Sequence, residues 1–167
     1  PIQPQFLDFK RDLTFTQTKK KLPIVYKHNS DDGLFNLVFN WDFGTTANKE
    51  YAVACDYINY LGTSKKSAED IKREFYKLAC SFNIIANPRK IAILLSGLDE
   101  NMPKAVKLLN ELMTDAKPDA KAYEQYVALT LKARKDDKND QRKNFNALRR
   151  YAMYGPYNQV RNIVSEQ

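Results

Sequence analysis

The stretch LFNLVFNWDF, Leu34 to Phe43, does most to fix what this chain can become. Phe35, Leu37, Phe39, Trp41 and Phe43 share one side of a period-two pattern, and Asn36, Asn40 and Asp42 share the other, with Val38 between them. Side chains of a strand alternate between faces, so an alternation held this long specifies an antiparallel strand with one buried face. Gly44 and the two threonines after it stop the run.

The other elements follow from their own patterns. DLTFTQT alternates Leu13 and Phe15 against Asp12, Thr14 and Thr16, which predicts a half-buried strand. Lys19–Lys21 is a charged turn, and LPIVYK is a second strand with Pro23 near its start, where a missing donor does least harm. HNSDDG, His28 to Gly33, is rich in turn formers. Helices are predicted over 48–61 and over 67–82. The first has Tyr51, Cys55 and Ile58 on one face. The second has Ile71, Phe75, Leu78, Ala79 and Phe82 at helical spacing. Ser67, with Asp70 three residues on, reads as the N-cap of the second helix. After Asn87-Pro88, KIAILLSG is a short continuous apolar run, read as a strand buried on both faces. A helix over 100–116 is expected to be capped by Asn101 with Pro103 in its first turn, and Lys117-Pro118 ends it. Two more helices, 119–135 and 139–154, are split by the charged KDDKND, and YGPYN is a turn. The order β-β-β-α-α-β-α-α-α predicts an α+β fold: a mostly antiparallel sheet with helices packed on one face. The first ten residues, with prolines at 1 and 4, read as an extended lead-in.

Composition narrows function mainly by exclusion. The chain has 167 residues, 43% apolar and 28% charged, in the globular range. No run approaches the roughly 18 apolar residues of a membrane helix, and no basic leader precedes an apolar stretch. The first residue is Pro1, which suggests a processed or excised chain and leaves the compartment open. Cys55 and Cys80 make no disulfide framework and are expected to be buried core thiols on helix faces. His28 is the single histidine and sits in a turn, so a zinc site with three or four His, Cys or carboxylate ligands has no sequence support. Five glycines, none spaced for a phosphate loop, and no Gly-x-Ser-x-Gly elbow leave no nucleophile paired with a base. Asp31-Asp32 and Asp136-Asp137 read as solvated acids.

The net charge is +7, and residues 132–150 hold eight Lys/Arg against three Asp. RRYAMYGPYNQVR interleaves Arg with Tyr, which could stack bases. No base-reading motif accompanies it, so nucleic acid is an unfavoured partner.

The order of the pieces carries a resemblance. An alternating strand LFNLVFNWDFG leads into a helix ending YLGT; a helix SAEDIKREFYKLACSFNI follows, then a buried strand IAILLSGLDEN, a helix AVKLLNEL and a late YGPYN. This resembles the pitrilysin (insulinase-like) zinc metallopeptidases. Their comparable stretch reads strand, His-x-x-Glu-His, Gly-Thr and then an S-A-E helix. The lead-in PQFLDFKRDL looks like the connector before the third domain of long bacterial members. Anchored on Gly62-Thr63, the family's first zinc histidine falls at Val53, its general-base glutamate at Asp56 and its second zinc histidine at Tyr57. Valine cannot ligate, Asp56 is one methylene shorter than glutamate, and the phenol of Tyr57 is a poor ligand at neutral pH. A further carboxylate ligand would fall near Ala128–Ala133, where no acid stands; Glu124 is the nearest.

The resemblance thus implies a domain without catalytic, cofactor or metal residues. Residues 1–12 would be an inter-domain connector and 13–167 an incomplete peptidase-like domain. Zinc would belong to the N-terminal domain of the parent protein. The partners implied are the other domains of that polypeptide and its peptide substrate, not a membrane. Family members also place an Arg and a Tyr near substrate; Arg150 and Tyr157 have a suggestive spacing but fall at a helix end and a turn, so those roles are not transferred. A scaffold or assembly protein of the same fold is the alternative reading.

Overall fold

The computed structural model describes residues 6, 8–158, 160 and 162–165. The expectation of an extended lead-in over residues 1–5 lies outside them. The chain forms two compact units, 1–34 and 35–167.

In the first unit, Phe9–Asp12 forms one helical turn, α1, where extended chain was expected. The Asp8 carboxylate caps it, accepting from the amides of Lys10 and Arg11. The prolines, at 1 and 4, lie too early to prevent that turn. Strands β1 (Thr14–Gln17) and β2 (Pro23–Tyr26) then pair antiparallel, Phe15 opposite Val25. The lysine turn between them is closed by hydrogen bonds from Thr18 to Leu22 and from Lys21 to Thr18. The half-burial expected of β1 is absent: Phe15 is 65% exposed, because a two-stranded ribbon carries no covering layer of its own.

The second unit is built on a three-stranded sheet ordered β3-β6-β5, with β3 at Leu34–Trp41, β5 at Cys80–Ala86 and β6 at Ile91–Leu98. Helices α2 (Glu50–Ile58), α3 (Ala68–Lys77) and α4 (Met102–Asp115) pack on it. Two-residue strands β4 (Gly62–Thr63) and β7 (Ala116–Lys117) pair antiparallel beside them. Helices α5 (Ala120–Lys138) and α6 (Gln141–Tyr154) complete the unit. The α+β class read from the sequence is the class observed.

Strand β5 is the main departure. The helix expected over 67–82 ends at Lys77, and Cys80–Ala86 pairs with β6 along its whole length, from Cys80 opposite Gly97 to Ala86 opposite Ile91. Cys80, Phe82 and Ile84 therefore face the same way as Leu95 and Ile93 opposite them. The turn between helix and strand is made by Ala79 at φ 49°, a left-handed residue where glycine usually stands. Cys80 is thus a buried strand thiol, and Cys55 a buried helix thiol.

One face of the sheet forms the core. Ile91, Ile93 and Leu95 of β6 meet Cys80 and Ile84 of β5, Ile71 and Phe75 of α3, and Ala105, Leu108, Leu109 and Leu112 of α4. Phe35, Leu37 and Phe39 of β3 pack against this cluster at half-burial, as their alternation requires. The expected double burial of β6 holds at Ala92, on the opposite face, and is partial at Leu94.

The ends of α3 show local chemistry at work. Ser67 and Asp70 form the capping box: the Ser67 hydroxyl accepts from the Asp70 amide at 3.1 Å, and the Ser67 amide donates to the Asp70 carboxylate at 3.2 Å. Asn101 does not cap α4 with its side chain as expected. Its amide instead donates to the Leu78 carbonyl at 3.0 Å, closing the C-terminal end of α3.

Gly97, opposite Cys80, takes φ 153°, and a Cβ there would lie 2.5 Å from the Ala79 carbonyl oxygen and 2.6 Å from the Cys80 Cα. Both obstacles are backbone and cannot swing away. Gly97→Ala is expected to lower stability by on the order of 1–3 kcal/mol from backbone strain alone. A clear fall in the urea midpoint checks it.

Candidate functional site

Helix α2 carries the three positions singled out by the sequence. Val53 is half-buried, Asp56 lies at the exposed edge, and Tyr57 is half-buried. Tyr57 projects onto the start of α5. Its hydroxyl donates to the Asp119 carbonyl at 2.7 Å and accepts from the Asp119 amide at 3.0 Å. Asp119 is itself the N-cap of α5, its carboxylate accepting from the Ala122 amide at 3.0 Å. One phenol therefore fixes the backbone at the point where α5 begins.

The rings continue the contact. Tyr57 meets Tyr123 edge-on at 5.3 Å between centroids and Tyr126 at 6.1 Å; Tyr60 meets Tyr126 at 5.5 Å. Such pairs add to the stability of a seam beyond the area they bury. The Lys72 ammonium of α3 sits 5.8 Å over the Tyr60 ring. Sequence reasoning missed Tyr60, Tyr123 and Tyr126 as partners. Their signal was two tyrosine pairs at helical i, i+3 spacing, 57/60 and 123/126, each facing one seam.

Charge in the seam is small. Burial pushes the Asp56 carboxyl up, and a hydrogen bond from the Tyr126 hydroxyl opposes that. Burial likewise raises the Tyr126 phenol, against a hydrogen bond with Thr130. A carboxyl held this way faces the Tyr126 phenol.

The seam is poorly made for metal. Both the proton and an acceptor direction of the Tyr57 oxygen are spent on Asp119, and the side chain at 53 has no donor atom. Glu124, on α5, is exposed. Among the described residues no three His, Cys, Asp or Glu side chains gather into a metal-binding group. His28 belongs to the first unit, where its Nδ1 lies 3.1 Å from the Tyr26 hydroxyl.

The residues that match the family pattern have packing reasons to be there. A Cβ on Gly62 would fall 2.2 Å from the Lys66 carbonyl oxygen. The Thr63 hydroxyl accepts from the amides of Lys65 and Lys66, at 3.2 and 3.1 Å. Gly62-Thr63 thus shapes the loop that turns α2 into α3.

The remaining candidates are scattered. Asp32 closes its turn by accepting from Asn29 and from the Leu34 amide. Within KDDKND the break between the helices is made by Asn139 and Asp140 alone: α5 runs to Lys138, and Asp137 pairs with Lys143 of α6. Arg134 donates to the Val164 carbonyl at 2.9 Å, while the other basic residues of 132–150 are exposed. Arg150 and Tyr157 are both exposed, Tyr157 at 91%. Among the described residues no helix is long and apolar enough to cross a membrane.

No protein-family model matches the chain, and no curated protein matches it. Solved structures do. A peptidase M16 inactive domain from Pseudomonas fluorescens superposes with TM-score 0.74 at 17% identity, over 87% of this chain and 36% of its own. The periplasmic protease PqqL from Escherichia coli gives 0.70 at 12%, over 88% of this chain and 17% of its own. A protease from Helicobacter pylori gives 0.60 at 12%, over 74% and 31%. At these identities the likeness is one of fold. The chain spans about a third or less of each of these structures.

Proposed function

We propose that this chain is a non-catalytic domain of a pitrilysin-like zinc metallopeptidase, forming part of the wall that encloses peptide. The observation that carries the reading is Tyr57. The position where the family resemblance puts the second zinc histidine holds a phenol whose hydroxyl is committed to the Asp119 backbone. With Val53 and Asp56 beside it, the helix does packing work in place of chemistry. The fold shared with an inactive M16 domain supports the same reading. Other domains of the same polypeptide would be its partners, and zinc would sit in one of them.

The test is made on the complete polypeptide that contains this segment. A His-x-x-Glu-His stretch upstream is expected, and zinc-dependent peptide cleavage should survive Asp56→Asn in this segment. Loss of cleavage in a folded Asp56→Asn protein would contradict the proposal.

The basic run over α5 and α6 should bind nucleic acid weakly, without sequence preference. Charges spread over exposed helix faces give counterion release and little else. A titration is expected to show binding at low salt that disappears near physiological salt. Tight, sequence-selective binding there would count against the peptidase reading.

A further inference from the structure

We propose that the second unit holds a binding site for a small amphiphile with one carboxylate and an apolar tail, in the cavity between the end of α2, α3 and the start of β5. This inference is independent of the peptidase reading. The cavity measures about 310 Å³, at the lower end of the range ligand sites occupy, about 300–1,000 Å³. Ile58, Leu61, Phe75, Phe82 and Leu112 line it; the half-buried Ile58 and Phe82 present its apolar surface, over a floor of core side chains in Phe75 and Leu112.

Polar recognition falls to two groups at the rim, the Lys72 ammonium and the hydroxyl of Tyr76, which is 85% exposed. Of the polar side chains in the lining, Asn59 donates to the Asp56 carbonyl at 3.2 Å, and the Ser81 hydroxyl lies 3.5 Å from that of Ser96. Lys72 is left at the rim, its ammonium over the Tyr60 ring. Among the described residues it has no carboxylate within ion-pair reach. Its neighbours do: Arg73 pairs with Asp70 at 3.2 Å, and Lys66 with Glu74 and Glu111 at 2.8 and 3.1 Å. An apolar depth with one unpaired cation at its mouth selects a ligand of the opposite pattern, a single anionic head on an apolar tail.

Cys80 borders the cavity and Cys55 does not, and the two are about equally buried, at 8% and 7% exposed. The two thiols give a local probe and its control. The wild-type chain is treated with N-ethylmaleimide in the presence of sodium decanoate below its micelle concentration, and each cysteine is followed by peptide mass mapping. Decanoate is expected to slow labelling of Cys80 several-fold and to leave Cys55 unchanged. Lys72→Gln should raise the half-protecting concentration about two- to fivefold, the worth of an exposed ion pair, and decanol should protect more weakly than decanoate. Four results would each overturn the proposal. They are no protection of Cys80, equal slowing at both cysteines, equal protection by decanol or in the Lys72→Gln chain, and protection by the tripeptide Ala-Ala-Leu where decanoate gives none.

Discussion

The combined change Val53→His, Asp56→Glu, Tyr57→His is expected to cost about 2–4 kcal/mol of stability and to produce no peptide cleavage. The stability loss comes chiefly from Tyr57. Removing its hydroxyl leaves the Asp119 amide and carbonyl without their partner, and each such bond contributes about 0.5–1.5 kcal/mol net. Removing its ring ends the contacts with Tyr123 and Tyr126, and each aromatic pair is worth about 0.5–1.5 kcal/mol beyond area. The change at Val53 adds a polar ring to a half-buried position. Two imidazoles four residues apart can share a metal, but a peptidase zinc needs a third protein ligand. Residues 128–133 offer no acid, and Glu124 points to solvent. Tyr57→Phe alone, which keeps the ring, should cost nearer 1 kcal/mol. Thermal unfolding and a zinc-dependent cleavage assay on the same preparation check both halves. Turnover by the triple variant would show that the missing parts of the site are closer than α5 indicates.

Leu95→Ala should cost about 2–5 kcal/mol, the usual range for emptying a leucine site in a core. Leu95 is wholly buried on the central strand β6, directly opposite Phe82 of β5 and within the cluster shared with α3 and α4. A central strand hydrogen-bonded on both sides cannot move in to close the hole, which places the expected loss in the upper half of that range. Ser67→Ala provides the scale for a surface feature: it removes one side of the α3 capping box and should cost about 1 kcal/mol. Urea unfolding of the three proteins checks the order. If Leu95→Ala lost no more than Ser67→Ala, the assignment of the core to this face of the sheet would be wrong.

The legible part of the fold was that written in long, single-period patterns. The apolar run of β6 and the Ser67–Asp70 cap appear where the sequence put them, and the alternation of β3 does so through Phe39; Trp41 and Phe43, expected on the same buried face, are 40% and 44% exposed. Strand β5 was hidden because two periods overlap: Leu78, Ala79 and Phe82 continue the spacing of α3, while Cys80, Phe82 and Ile84 alternate with Ser81 and Asn83. The glycine that would have separated them is absent, its place taken by Ala79 in a left-handed conformation. Asn101 was misread for a related reason. A polar residue before a helix looks like its N-cap, and only the approach of Leu78 gives it a better partner. At the candidate site, the sequence shows which residue types stand at positions 53, 56 and 57. It could not show what Tyr57 does, because its partner Asp119 lies 62 residues away. That distance is bridged by tertiary packing and leaves no local pattern to read.

Metal content tests most directly whether α2 is a packing helix. The purified chain, freed of chelator and equilibrated with excess zinc, is passed through a desalting column and its zinc measured by elemental analysis. Far less than one zinc per chain is expected, unchanged by Tyr57→Phe or Asp56→Asn, since the Tyr57 oxygen is held by Asp119 and position 53 offers no ligand atom. Retention of about one zinc per chain, lost on Asp56→Asn or Tyr57→Phe, would mean that these side chains leave their seam to hold metal, and would contradict the account.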